Sequence, residues 1–227
     1  FVGLKNYVFL VCDHPLFKKA LLNTAIFAAV FIPLWLAKAV IIAGLLQQFR
    51  PRLQSFFKAA YYLPHVTSVV VISLVWLWLY NPEYGLCNYL LSIFGLQKIM
   101  WLGNPSIALY AVIFMQIMIS GGASIVLISA AMAAVPQSLY DAAALDGASK
   151  SKIFFKITLP LIRPVLLYHI IIGLISSFQI FSNIYVMTKG GPQFSTLTIM
   201  YLIYETAFEN YEFGLAAAQS VILATII

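Results

Sequence analysis

Charge is what this chain has least of. Asp, Glu, Lys and Arg make up 9% of its 227 residues, while 63% are hydrophobic and mean hydropathy is +0.96. Soluble globular domains carry about 25% charged residues, so the composition excludes that class and places the chain in lipid. The balance is basic, +6 with a pI near 9.3. The thirteen Lys and Arg are nevertheless spread along the chain with no continuous patch or stripe, which argues against nucleic acid as a partner. Cysteine is nearly absent: Cys12 and Cys87 stand far apart with no Cys-x-x-Cys spacing, so a disulfide framework is excluded and both read as free or buried thiols. His14, His65 and His169 fall in three different segments and read as packed or interfacial side chains, not as metal ligands. No Gly-x4-Gly-Lys-Ser/Thr run occurs. Gly190-Gly191 is followed by proline, with no helix positioned to hold a phosphate. No Ser/His/Asp cluster offers catalytic residues.

What is present is a series of long apolar runs. Residues 20–46 are apolar apart from Asn23, Thr24 and Lys38, long enough to cross a bilayer with some tilt, and the basic Arg50-Pro51-Arg52 follows. A second span is expected over about 56–80, with Trp76, Trp78 and Tyr80 as an interfacial aromatic belt and Asn81-Pro82 as its end. Residues 84–94 are too short to cross and are expected to lie at the surface. After the turn signal Gly103-Asn104-Pro105 come a third span over 107–133 and a fourth over 161–187. Then Lys189-Gly190-Gly191-Pro192 breaks the chain, an external helix is expected over 196–208, and a fifth apolar run begins near Gly214. That run stops short of the ~20 residues a span needs, the chain starts at Phe1 without a signal-peptide pattern, and the reading is of a fragment. The architecture expected is all-α: one polytopic transmembrane helix bundle over 1–227.

Orientation follows from the loops. Residues 50–58 and 136–163 share one face and hold seven Lys/Arg between them, so that face is cytoplasmic by the positive-inside rule. The other face holds Glu83, Glu205, Glu209 and Glu212 against Lys98 and Lys189, with Lys5, Lys18 and Lys19 as contrary charges.

The stretch 141–160, DAAALDGASKSKIFFKITLP, interrupts the apolar pattern. It reads as two short helices meeting at Asp146-Gly147, where glycine tolerates the left-handed backbone of a sharp turn, with Pro160 ending the second. Ala142, Ala143 and Ala144 keep one face thin enough to enter a groove. Leu139 and Tyr140 offer apolar contact, and Lys150, Lys152 and Lys156 surround the second helix with positive charge, suited to an acidic rim on a partner or to anionic headgroups.

Asp141-Ala142-Ala143, Gly147, Ile157, Leu159 and Pro160 match E-A-A-x3-G-x9-I-x-L-P at every spacing, the signature of bacterial ABC-importer permeases, which this chain therefore resembles. Only Asp141 departs, keeping the carboxylate but shortening it. FVGLKNYVFL, LLNTAIF, YYLPHVTS, LYNPEYGLCNYLL and SFQIFSNIYVMTKGGP are similar to the carbohydrate branch, the maltose and glycerol-3-phosphate permeases. Lys38 and His65 depart from it. The resemblance implies a type I permease of about six helices, the first upstream of Phe1 and the last cut at Ile227, with coupling helices at 136–160. It implies two ATP-binding subunits that hold ATP and Mg, so that this chain needs no cofactor and is not itself an enzyme. It also implies a second homologous permease, forming a heterodimer, and an extracytoplasmic solute-binding protein that delivers a sugar to a subunit of the bacterial inner membrane. The alternatives are a self-sufficient secondary transporter or channel, which would show buried carboxylates at the bilayer middle, and an ABC permease for amino acids or peptides.

Candidates for the substrate path come from polar residues in otherwise apolar spans. Ser176, Gln179 and Asn183 follow helical spacing onto one face and, with Tyr185, either offer groups to sugar hydroxyls or bond neighbouring helices. Gln116 and Ser120, beside Gly121, Gly122 and Ser124, mark either a close helix contact or a local break lining a cavity. Lys38 is an ionisable residue inside a span, at a cost on the order of 2.5–3.5 kcal/mol near the centre. It either snorkels to the cytoplasmic interface or meets a partner or an acidic substrate.

Overall fold

Backbone amides in lipid have no water to bond, so an apolar run must satisfy them within its own segment, and the helix is the local solution. The structure, a computed structural model, describes residues 2–227 and contains no strand among them. Pro15–Leu46 is a single helix of 32 residues. Its first residue is a proline, which has no N–H to leave unbonded there, so it begins upstream of the expected residue 20. It is the one helix among the described residues long and apolar enough to cross a membrane by itself.

The spans expected over 56–80 and 107–133 fall on helix pairs bent at a short break, Pro51–Val66 with Val69–Leu79 and Ala108–Ile119 with Gly122–Ala133. The one expected over 161–187 is instead two helices, Arg163–Phe178 and Ser182–Met187, the first following Lys150–Leu161 at a further bend. Phe213–Ile226 is a shorter apolar helix. The chain forms two compact units, one from the residues up to Phe31, Thr67–Met118 and Leu174–Ile227, the other from Ile32–Val66 and Ile119–Gly173.

In the first unit, buried polar side chains fasten loops to helices. Asn23 donates to the carbonyls of Phe194 and Leu197, both at 2.9 Å, and the Thr24 hydroxyl accepts from the Ile199 amide at 3.0 Å. The 194–199 turn is thereby tied to the long helix. Asn88 donates to the Pro82 and Ile99 carbonyls and accepts from the Ile99 amide and the Trp101 indole, fixing the short helix Leu86–Ile93 to the segment after it. Of the aromatic residues read as a belt, Tyr80 is buried, its hydroxyl donating to the Ala111 carbonyl at 2.8 Å and its ring stacking on Trp101. A buried phenol needs such an acceptor; Trp78 is 55% exposed.

The second unit has a core of Ala39, Val40, Ala43, Leu46, Ile125, Ile128, Met132 and Ile162. Residues 39, 43 and 46 on one helix and 125, 128 and 132 on another recur at three to four residues, the spacing of one helical face. Gly122 lets two backbones meet: a Cβ there would collide with the Tyr61 carbonyl and come within 2.7 Å of the Tyr62 Cα. The Gly121-Gly122 pair makes both a local break and a close contact. Gly121, with φ +113°, makes the break, and Gly122 makes the close contact.

Candidate functional site

The 141–160 element forms the expected two helices and turn. Helix Gln137–Leu145 ends as a Schellman motif: the Ala148 amide donates to the Ala143 carbonyl at 2.9 Å, the Gly147 amide to the Ala144 carbonyl at 3.1 Å, and Gly147 has φ +71°. Ser149 then caps the next helix through the Lys152 amide at 3.3 Å. This helix does not stop at Pro160. It continues to Leu161 through a π turn over Phe154–Thr158, in which the Leu159 amide reaches back five residues to the Phe154 carbonyl. Proline has no N–H and its ring crowds the carbonyl four residues back; a wider π turn is the deformation that accommodates both. The axis changes by 67° only at Ile162.

Burial sorts the seven motif residues. Asp141, Ala142 and Gly147 are exposed, Ala143 is buried, and Ile157, Leu159 and Pro160 are half-buried. The alanine face is therefore shared, with Ala143 turned inward and Ala142 and Ala144 outward. Tyr140, read as a partner contact, instead bonds within the element, its hydroxyl 3.1 Å from that of Thr158. Asp141 accepts from the Gln137 amide at 3.0 Å. The residue that sequence reasoning missed is Leu145, 90% exposed at the tip of the first helix. The signal was there in a lone leucine between Ala144 and Asp146-Gly147.

The path candidates are not brought to one face. The helix that begins at Arg163 ends at Phe178, and a new one runs Ser182–Met187. Gln179 lies in the gap, so the regular spacing of Ser176, Gln179 and Asn183 does not carry through. Ser176 and Gln179 are exposed, and Asn183 is buried. Its amide nitrogen lies 3.2 Å from the Ser73 hydroxyl and 3.7 Å from the Met115 sulfur, a bond between helices.

Tyr185, 37% exposed, belongs to an aromatic cluster that the sequence did not reveal. Phe181 and Tyr204 have centroids 4.9 Å apart, Tyr185 and Tyr204 5.3 Å, Phe181 and Tyr185 5.4 Å, and Tyr201 lies 6.4 Å from Phe181. Phe181 and Tyr185 at i, i+4 and Tyr201 and Tyr204 at i, i+3 on one helix turn are the signs that sequence carries. Gln116 and Ser120 are half-buried.

The Lys38 ammonium donates to the Ser120 carbonyl at 2.6 Å. A charge-assisted hydrogen bond is worth about 1.5–3 kcal/mol, comparable to the cost on the order of 2.5–3.5 kcal/mol of placing a lysine inside a span. His14 accepts from the Phe17 amide, His65 lies against Tyr62, and the His169 ring meets Trp35 edge-on. Cys12 and Cys87 are both free.

Bent apolar helix pairs, a helix long and apolar enough to cross a membrane and a two-helix element with an exposed apolar tip fit a membrane-embedded protein. Residues 39–227 match the family described as binding-protein-dependent transport system inner membrane component, and the chain belongs to it. It is 36% identical over 229 residues to the "Probable ABC transporter permease protein YurN" of Bacillus subtilis, covering all of this chain and 78% of the relative. It is 32% identical over 230 residues to the trehalose/maltose transport system permease protein MalF of Thermococcus litoralis, covering 100% and 76%. The fold is that of a chain in the crystal structure of a bacterial ABC transporter involved in the import of the acidic polysaccharide alginate: TM-score 0.89 at 22% identity, over 100% of this chain and 79% of that one. The chain is thus an ABC-importer permease of the membrane, the leading reading over a self-sufficient secondary transporter or channel.

Proposed function

We propose that this permease moves a sugar or oligosaccharide, handed over by an extracytoplasmic binding protein, and is driven by separate ATPase subunits that dock on residues 136–160. The observation that carries the docking is the coupling element itself. A glycine-terminated helix is held from behind by Ala143, Tyr140 and the π turn, and presents Asp141, Ala142 and the bare Leu145 outward. An apolar tip of that exposure, on the face with the basic loops, is suited to a groove on a partner.

ATP and Mg are held by those partners, and this chain supplies no ATPase site. The chain is multi-pass, with the coupling element cytoplasmic, and pairs with a second, different permease. The sugar reading is supported by relatives named for trehalose/maltose, diacetylchitobiose and sn-glycerol-3-phosphate transport, and by Tyr185 within an aromatic cluster. Aromatic faces suit the apolar faces of sugar rings, and Gln179 and Ser176 are exposed polar groups. Closure of the ATPases moves the coupling element as a rigid body and exposes the cavity alternately to each side.

The test is purification of the tagged subunit from its native membrane with its partners, followed by ATPase assays with binding protein and a panel of sugars. Co-elution of an ATPase and a second permease, with hydrolysis stimulated by one sugar, is expected. Recovery of this chain alone, active by itself, would overturn the reading.

A further inference from the structure

We propose that Lys38 is a positioning residue: it latches the break at Ser120-Gly121, and transport depends on the break being held, not on Lys38 touching substrate. The inference rests on the permease reading above. A helix that stops inside a membrane protein leaves carbonyls without amide partners and a partial negative charge at its end, and lipid supplies no donor. At this break helix Ala108–Ile119 ends, Gly121 turns the backbone to φ +113°, and Gly122–Ala133 begins. The Lys38 ammonium sits on the Ser120 carbonyl at 2.6 Å.

The geometry around it is specific. A Cβ at Gly121 would lie 3.5 Å from the Lys38 Cε and 3.3 Å from the Trp35 Nε1. Lys38 and Trp35, one turn apart on the long helix, are therefore both pressed on the turning backbone. Nine positions further along each segment, just past the end of the long helix at Leu46, the arrangement recurs: the Gln47 amide donates to the Ser129 carbonyl at 2.8 Å and to its hydroxyl at 3.2 Å. Both pairs are separated by 82 positions, so the two segments run parallel in register. The difference lies in the acceptor. Ser129 lies inside a continuous helix, whereas Ser120 lies at the break, and there the donor is a charge. Gln47 fixes register; Lys38 holds an irregular backbone that also carries the path candidate Ser120.

The experiment uses the complete importer in proteoliposomes with its binding protein. Lys38→Met is expected to lower the maximal transport rate roughly tenfold or more, the worth of a hydrogen bond to a charge, with the KM for substrate little changed. Lys38→Arg, which keeps the charge and the donors, is expected to restore most of the rate. A raised KM confined to anionic sugars, with the maximal rate intact, would instead make Lys38 a substrate ligand and overturn the proposal, as would wild-type transport by Lys38→Met. A wild-type importer without ATPase stimulation by loaded binding protein would defeat the permease reading itself. A second readout is the spin-label distance between Ile41→Cys and Val126→Cys, both exposed and in the second unit, in a Cys12→Ser, Cys87→Ser background of the full complex. Lys38→Met, or Lys38→Gln if the methionine variant does not assemble, is expected to broaden or shift that distribution. An unchanged distribution overturns the latch.

Discussion

Gly147 carries a prediction whose size can be worked from the structure. Its φ is +71°, and a Cβ built there meets nothing within 4 Å. Any effect of a side chain within this chain is therefore backbone strain alone, with no steric clash added. For an L-residue the left-handed conformation costs about 1–2 kcal/mol, and β-branched residues are true outliers there. Asparagine adopts it readily. Free energies of about 1–2 kcal/mol correspond to factors of roughly 5–30 in an equilibrium. The turn population, and with it affinity for the ATPase subunit, is thus expected to fall in the order Gly, Asn, Ala, Val. Gly147→Asn should stay close to the native value, and Gly147→Val should lose roughly 30-fold or more. Membrane insertion should be unchanged, because the turn lies outside the apolar runs. The assay is titration of the ATPase subunit onto the permease in nanodiscs, with transport measured in parallel. Normal transport by Gly147→Val would refute the role assigned to the turn. Equal losses for Asn and Val would show that the partner's surface, not the backbone, excludes a side chain.

Leu145→Ser should leave thermal stability unchanged, since the side chain is 90% exposed, yet weaken ATPase binding by about 1.5–3 kcal/mol, the worth of one buried leucine; a titration with the same subunit checks this. Gly122→Ala places a Cβ on the Tyr61-Tyr62 backbone, which cannot rotate aside, and an overpacking cost of about 1–3 kcal/mol should appear as a lower Tm in detergent. Asn183→Ala removes a bond between helices at 3.2 Å, worth about 0.6 kcal/mol on average and up to ~1.7 in membrane proteins. A lowered Tm with unchanged KM is expected, and the opposite pattern would return Asn183 to the substrate path. Tyr204→Ala, which removes the centre of the aromatic cluster, should raise the sugar KM severalfold, while Tyr204→Phe should not.

The sequence was most legible where one physical constraint acts along the chain. Apolarity located the crossing segments, since lipid leaves a backbone little choice, and the left-handed turn at Gly147 was readable because few residues but glycine permit it. The bends were harder. At the break between Val66 and Val69 the signals are Pro64 inside the first helix and Ser68 at the N-cap of the second, both compatible with helix breaking but outweighed by the apolar run in a reading from hydropathy. The Gly121-Gly122 pair allowed two readings because a missing side chain serves both a break and a close approach, and the neighbours Lys38 and Tyr61 decide which glycine does which. The expected stripe of Ser176, Gln179 and Asn183 failed for a related reason: periodicity assumes a helix that continues, and this one stops at Phe178. The burial of Tyr80 was not legible either, since it depends on one carbonyl acceptor, that of Ala111, thirty-one positions away.

The coupling motif gains a different meaning once its residues are sorted by what they touch. Sequence spacing alone presents seven positions as one signature, with the proline as its stop. In the structure Leu159 packs with Phe154 against the core cluster that contains Ile162, and Pro160 removes the amide whose loss the π turn accommodates. The final Ile-x-Leu-Pro thus mounts the element on the second unit, while Asp141, Ala142 and Gly147 form the part left uncovered. The division predicts two kinds of failure. Outward substitutions should leave a stable permease that binds its ATPase poorly. Pro160→Ala should restore the missing amide, allow the π turn to tighten toward an ordinary helix, and rotate Leu159 relative to Phe154, so that stability and coupling fall together. A Pro160→Ala permease with native Tm but impaired ATPase binding would place the proline on the contact surface instead, and the division drawn from burial would be wrong.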